Sequence, residues 1–568
     1  MKKYLILGLV LVVAAAAVIF FVNRDRGISP KNIRSAEKII GIKFTPEERK
    51  MMIEALERNK NFYLDLRKVT LNNNIPLSLV FNPITPLSMP QIKGVKFVHL
   101  DNEDLHMPDN LEQLAFFSIS DLSRLIKQQK ITSTQLTKLY IKRLKKYSPQ
   151  LKCVVTLTEK LALKQAKKAD EEISSGLYRG PLHGIPWGAK DLLSTKGTKT
   201  TWGAMPYKDQ IFEEDATVVK KLEQSGAVLV AKLSMGALAM GDVWFEGKTR
   251  NPWNIEQGSS GSSAGSAAAT AAGLVGFAIG TETLGSIISP STRCGVTGLR
   301  PTFGRVSRSG AMALSWSMDK IGPICRTVED CALVFNAIYG PDGKDFSVKN
   351  YPFHWDPNKD LKKLRIGFFK KAFQKEYENK KNDNASLQAM KNMGIDLIPF
   401  ELPKVPIKPM RLILIAEAAA AFDELTRTNK DDLLVRQSKQ AWPNAFRQAR
   451  FIPAVEYIQA NRMRWILMNE IAEKMKKIDV YLAPTASGNN LLVTNLTGHP
   501  AIAVPNGFDE KGSPTSITIV GSLFEEGKLL RTAKALQDAT EFFRKHPDLS
   551  KLDDTTDKNE KTRNDKKE

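Results

Sequence analysis

The hydrophobic positions of this chain change period along its length. Tyr4 to Val22 are 19 residues without a charge, flanked by Lys2, Lys3 and by Arg24, Arg26. The run is long enough to cross a hydrocarbon core and long for a signal-peptide core. It predicts a transmembrane anchor over residues 1–23, with a cleaved signal as the alternative. Either directs the chain to export, and the flanking charges weakly favour an inside N-terminus and an extracytoplasmic remainder. Residues 31–69 then carry helical spacing, with Thr45-Pro46-Glu47-Glu48 as a helix start. From Asn72 to Pro108 the chain is rich in Pro and Asn and reads as extended, so residues 30–115 are expected to form a small N-terminal extension.

Two amphipathic helices follow between Ser118 and Lys146, each begun by Ser or Thr, with others over 159–175 and 217–225. GAVLVAK (226–232) and GLVGFAIG (273–280) are apolar runs of strand type. Strand and helix signals alternate to about Phe543, which predicts a mixed α/β domain over 116–545. Residues 550–568 are charged, lack aromatics and read as a disordered tail.

Composition changes this picture little. The chain of 568 residues is 42% hydrophobic, enough for a large core, and 25% charged. The net charge of +22 is spread rather than clustered with aromatics, apart from short runs such as Lys142–Lys146, so no nucleic-acid partner is expected. Four cysteines without CxxC or Cys/His spacing exclude a disulfide framework and predict neither metal nor other cofactor.

The candidate chemistry lies in two stretches. Gly258–Arg308 is crowded with Gly, Ser and Ala, which suggests backbone held close to a ligand with hydroxyls at defined points. RGPLHGIPWGAKDLLS, at 179–194, sets Lys190 and Asp191 among apolar, Gly/Pro-shaped neighbours. Three serine readings compete. Gly261-Ser262-Ser263-Ala264-Gly265 matches a nucleophile elbow with Ser263 as nucleophile, but NPWNIEQGSS before it is a polar, poor strand, and His499 is the sole late histidine in an ordered context. A serine activated by a neutral, desolvated lysine makes Lys190 the base, with Asp191 pointing away in a locally extended segment. A phosphate-binding loop lacks both GxxxxGK[ST] and GxGxxG.

These stretches resemble the amidase signature family, and the resemblance covers about residues 116–545. PLHGIPWGAKD resembles the family's lysine segment, and Gly258–Arg308 its Gly/Ser signature. MDKIGPICRTVEDCALVFNAI (318–338), VYLAPT (480–485), NLTGHPAIAVPNGF (495–508) and ITIVGSLFEEGKLL (517–530) resemble its later blocks. The resemblance implies an α/β amidase signature fold: a mixed, mostly parallel sheet with helices on both faces. It implies Lys190 as general base, Ser262 as the cis residue and proton shuttle, and Ser286 as the acyl-forming nucleophile. Backbone N–H groups of Thr283, Leu284 and Gly285 would form the oxyanion hole, with Gly261 and Ser263 in support. The implied partners are a small-molecule amide, the membrane through the N-terminal segment, and optionally a second copy in a homodimer. Leu284-Gly285 replaces a common Gly-Gly, and Ala264 a common Gly. KLSMGALAMG (232–241) lacks the Asp-Glu pair common in tRNA-dependent subunits. Together with the export segment, this argues for an amidase over the alternatives, a glutamine-dependent amidotransferase A-type subunit or a silent binding protein of the same fold.

Overall fold

The computed structural model describes residues 27–88, 97–98, 105–485, 488–550 and 552. The run Tyr4–Val22 and residues 553–568 lie outside the described residues. No helix among the described residues is long and apolar enough to cross a membrane, so the fold is described without the expected anchor.

The chain divides into two compact units. The smaller is Met1–Asn72 with Phe451–Pro453. In it the 31–69 periodicity resolves into two helices, Pro30–Ile40 and Pro46–Leu66. Ser29 and Thr45 cap their starts, and Gly41, at φ +75°, ends the first by taking a left-handed turn. The Glu37 carboxylate and the Arg49 guanidinium join them at 2.6 Å.

The larger unit is Asn73–Arg450 with Ala454–Glu568. Its strands are β1 (Val154–Leu157), β2 (Pro186–Lys190), β3 (Val228–Leu233), β4 (Val243–Trp244), β5 (Gly247–Lys248), β6 (Arg250–Asn251), β7 (Asn254–Gly258), β8 (Phe277–Glu282), β9 (Thr297–Arg300), β10 (Lys320–Cys325), β11 (Ile366–Phe369), β12 (Ile398–Phe400), β13 (Val480–Pro484), β14 (Ala501–Phe508) and β15 (Pro514–Gly521). Eleven of them form one sheet in the order β1-β3-β2-β8-β10-β9-β14-β15-β13-β11-β12. Every residue of β2, β3, β8 and β10 is buried, so both faces of the sheet are covered there.

The sheet is mixed as expected, but it is not mostly parallel. Only β2 with β3, β2 with β8, β11 with β12 and β11 with β13 run parallel. The other neighbours, including the whole centre from β8 to β13, are antiparallel. For β14 and β15 the reason is connection length. Only residues 509–513 join β14 to β15, and a link that short can only fold back into a hairpin. The polar segment around NIEQG also forms a strand, β7, against expectation. It can do so because it pairs only with β6 in a half-exposed ribbon outside the main sheet.

The core beneath the N-terminal half joins Ile141, Leu144, Val228, Val230 and Leu233 to Ala267, Ala268, Ala271 and Leu274. The last group belongs to or follows the helix Ala264–Ala271, all of whose residues are buried. Small side chains let this helix lie close against its neighbours: a Cβ on Gly265 would stand 2.4 Å from the Cys153 carbonyl oxygen. All four cysteines are buried and free.

A buried ion pair ties the segment after β9 to the helix Glu526–Thr540. Arg305 donates to Glu526 at 3.1 Å with both side chains fully buried, and the second Glu526 oxygen accepts the Thr302 N–H at 3.0 Å. Removing one partner leaves an uncompensated buried charge. Glu526→Ala is therefore expected to cost about 3–5 kcal/mol in urea unfolding, with Glu526→Gln losing less.

Candidate active site

Strands β2 and β8 lie side by side and parallel, with Ala189 opposite Ile279. Their carboxyl ends therefore present Lys190 and Thr281 to the same place, the edge at which open α/β sheets bind ligands. Lys190 is fully buried. Its Nζ lies 2.9 Å from Ser262 Oγ, 3.0 Å from Ser263 Oγ, 2.8 Å from Thr281 Oγ1 and 3.3 Å from the Thr281 carbonyl oxygen. It has no carboxylate at ion-pair distance among the described residues; Asp191, one residue on, turns away as expected and meets Lys232 at 3.2 Å and the Thr201 N–H at 2.8 Å. Burial pushes the Lys190 ammonium down to about 7, against the opposing fields of Asp319 and Glu282.

The protons around Nζ can be assigned by elimination. Ser263 donates its hydroxyl to the Thr281 carbonyl at 3.1 Å and accepts the Thr281 N–H at 3.1 Å. It therefore has no proton for Lys190. A neutral amine here donates to Ser263 Oγ and the Thr281 carbonyl, leaving its lone pair for the hydroxyl of Ser262 or Thr281. Ser263 is fully buried and its hydroxyl fully engaged, which argues against the elbow. His499, the histidine the elbow required, bonds Thr497 Oγ1 through Nδ1 at 2.8 Å, and burial with the Arg300 field pushes its pKa down to about 3.

The Gly261–Ser262 peptide bond is cis. Gly261 is required where it stands, since a Cβ would lie 1.8 Å from the Gly241 carbonyl oxygen. Gly280 is required for a similar reason, with a Cβ only 2.8 Å from Ser263 Oγ. Ser286 is brought to the same centre through its backbone: its carbonyl accepts the Ser263 N–H at 3.2 Å. Its hydroxyl makes no hydrogen bond among the described residues, so the Ser262–Ser286 contact expected of a relay is not closed here.

Between β8 and Ser286 the backbone N–H groups of Thr283, Leu284 and Gly285 have no acceptor among the described residues. Unpaired backbone donors in a mostly buried loop are uncommon, and they form the kind of surface that binds developing negative charge. The loop is held from below by Glu282, which is fully buried. One of its oxygens accepts the N–H groups of Ile287 and Ile288 at 2.9 and 3.0 Å; the other accepts Arg300 at 2.7 Å and Asn495 at 2.9 Å. Burial alone would raise this carboxyl, but Arg300 and the donors around it hold it well below the usual range. From above, Thr283 Oγ1 donates to Asp319 at 2.6 Å. A cavity of about 380 Å³ opens beside the site, lined by Gly241, Asp242, Gly258, Ser260, Gly261, Ser289 and Arg293.

Sequence reasoning missed Thr281, Glu282, Arg300, Asn495 and Asp319. Thr281 and Glu282 stand in the TETLGS run before Ser286, where a polar pair ending an apolar strand was the available signal. Arg300 is brought in by strand β9 and Asn495 by the helix Asn490–Leu496.

The amidase family model matches residues 135–492, more than half of the chain. The chain belongs to the amidase family. It is 33% identical to the glutamyl-tRNA(Gln) amidotransferase A-type subunit of Carboxydothermus hydrogenoformans over 485 residues, covering 77% of this chain and 100% of the relative. It is 34% identical to the corresponding protein of Acinetobacter baumannii strain AYE, over 75% of this chain and 97% of the relative. Among solved structures, the native peptide amidase of Stenotrophomonas maltophilia superposes with TM-score 0.70 at 28% identity, covering 77% of this chain and 99% of that one. The amidotransferase A-type subunit of Thermotoga maritima superposes with TM-score 0.63 at 26% identity, over 75% and 95% of the two chains. The chain is thus an enzyme of the amide C–N hydrolase or amidotransferase type.

The expected placement as a membrane-anchored or exported enzyme is overturned. The curated relatives matched over nearly their whole length are subunits named for glutamyl-tRNA(Gln), and no helix among the described residues is long and apolar enough to cross a membrane. The Tyr4–Val22 run itself lies outside the described residues.

The burial of Lys190 has a consequence for stability. An unfolded lysine titrates near 10.5 and this one near 7, so between those values the unfolded chain holds a proton that the folded chain does not. The contribution of Lys190 to stability therefore rises with pH across that window. Lys190→Met removes it. The parent-minus-variant difference in unfolding free energy is expected to rise when urea denaturation is repeated at about pH 9 instead of about pH 7.

Proposed function

We propose that this enzyme hydrolyses a carboxamide through an acyl-enzyme on Ser286. Neutral Lys190 takes the proton of Ser262, and Ser262 takes that of Ser286 as its Oγ attacks the amide carbonyl. The carbonyl oxygen moves into the free N–H groups of Thr283, Leu284 and Gly285 as its charge develops. Ser262 then returns a proton to the leaving nitrogen, the C–N bond breaks, and water hydrolyses the ester. The observation that carries this reading is the lysine amine, buried without a carboxylate and 2.9 Å from Ser262 Oγ, at the head of a stretch whose donors are unpaired. The open Ser262–Ser286 contact fits a resting site, since catalytic hydrogen bonds tighten when substrate closes the centre. Asp242 and Arg293 make the adjoining cavity polar, which favours a peptide-like or small polar amide over a fatty one.

A second reading, an amidotransferase A-type subunit using glutamine as nitrogen donor, is favoured by the identity to A-type subunits along nearly their whole length. It uses the same centre. The two separate on the purified chain: hydrolysis of peptide amides by the chain alone supports the first, and activity that appears only with glutamine and added partner subunits supports the second.

Covalent labelling by a fluorophosphonate probe tests the nucleophile. Ser286→Ala should abolish labelling and Ser263→Ala should leave it largely intact; the reverse pattern restores the elbow. The base is tested by pH. Amide turnover should rise through an acid limb near pH 7 as Lys190 deprotonates, and Lys190→Arg should be as inactive as Lys190→Ala, because a guanidinium stays protonated. Near-parental turnover in Lys190→Arg would remove the base role.

A further inference from the structure

Asp319 stands between the catalytic stretch and the loop that leads into β10. Its Oδ1 accepts the Thr283 hydroxyl at 2.6 Å, and its Oδ2 accepts the N–H groups of Leu314 and Ser315 at 2.8 and 2.9 Å. The two N–H groups can only donate, so Oδ2 is an acceptor, and burial raises the Asp319 carboxyl above its usual value. The loop it rests on is itself braced. Buried Glu417 accepts Ser315 Oγ at 2.6 Å, Ser317 Oγ at 2.8 Å, the Ser317 N–H at 3.0 Å and the Tyr457 hydroxyl at 2.9 Å. Arg464 holds the Ser317 carbonyl at 2.8 Å. Asp319 thus transmits a fixed framework to Thr283, whose N–H is the first of the three free donors.

Asp319 is also set apart from the other carboxyl beside the centre. Glu282 and Asp319 are the two anions whose fields reach Lys190. Glu282 is paired with Arg300 at 2.7 Å, whereas Asp319 has no cation at ion-pair distance among the described residues. Arg308, whose field reaches Asp319, is paired with Asp345 at 2.9 Å. Lys320, next in the chain, is buried and donates to the Met318 carbonyl, and burial drives it well below an ordinary lysine.

We propose that Asp319 is a positioning residue of this centre: it orients the donor loop through the Thr283 hydroxyl. The proposal rests on the reading of Ser286 as nucleophile and Lys190 as base.

The test uses the full-length chain with Asp319→Asn, Thr283→Val and Thr283→Ser, following fluorophosphonate acylation and amide turnover across pH. Asp319→Asn replaces one acceptor oxygen by an N–H donor, so it cannot hold both the Thr283 hydroxyl and the Leu314 and Ser315 N–H groups, and should lower kcat about tenfold. Thr283→Val should lower kcat by a similar factor, with the acid limb in place. Thr283→Ser should recover most of that loss. Parental kcat in Asp319→Asn or in Thr283→Val overturns the proposal. If Asp319→Asn does not fold, the two Thr283 variants still decide the positioning role. Failure of the underlying reading looks different: Ser286→Ala would continue to acylate.

Discussion

The centre depends on one electrostatic constraint, an amine buried with no carboxylate at ion-pair distance among the described residues. A lysine taken out of water and given no carboxylate at ion-pair distance loses its proton more readily than it keeps it. Lys190 is placed in that condition by the strands that carry it. Parallel pairing of β2 with both β3 and β8 buries every residue from Pro186 to Lys190. The neighbouring carboxylate, Asp191, is drawn off by Lys232 and Thr201. What remains around Nζ is a set of hydroxyls and one carbonyl, which can accept and relay protons without fixing a charge.

The rest of the stretch from Gly258 to Arg308 supports that amine in two ways. Small residues permit backbone to approach backbone, as at Gly261 against the Gly241 carbonyl, and so bring three serines into one volume. Buried charges outside that volume hold the loops. Glu282 with Arg300 fixes the turn below the free N–H groups, and Asp319 fixes it from above. These carboxylates are satisfied by donors on several sides, so they are rigid anchors rather than competing bases. The site combines a buried centre of one amine and several hydroxyls with a charged surround.

The family relation narrows the chemistry to amide C–N bonds without choosing the substrate. The relatives are named as amidotransferase subunits, and the superposable solved structure as a peptide amidase. In this chain the cavity beside Gly261 is lined by the charged residues Asp242 and Arg293.

Local sequence determined a great deal here. Helix starts at Thr45, Ser118 and Thr132 were legible because capping is a short-range hydrogen bond between neighbours. Lys190, Ser262 and Ser286 were legible because their segments are chemically unlike the rest of the chain and resemble a family in order and spacing. Strand direction was not legible, since parallel and antiparallel pairing depend on connections and neighbours far apart in sequence. The roles of Arg300, Asn495 and Asp319 were decided only by the tertiary structure. Each is an ordinary polar residue in its own segment, and it acquires meaning when β9, the helix Asn490–Leu496 and the loop before β10 bring it against the turn after β8.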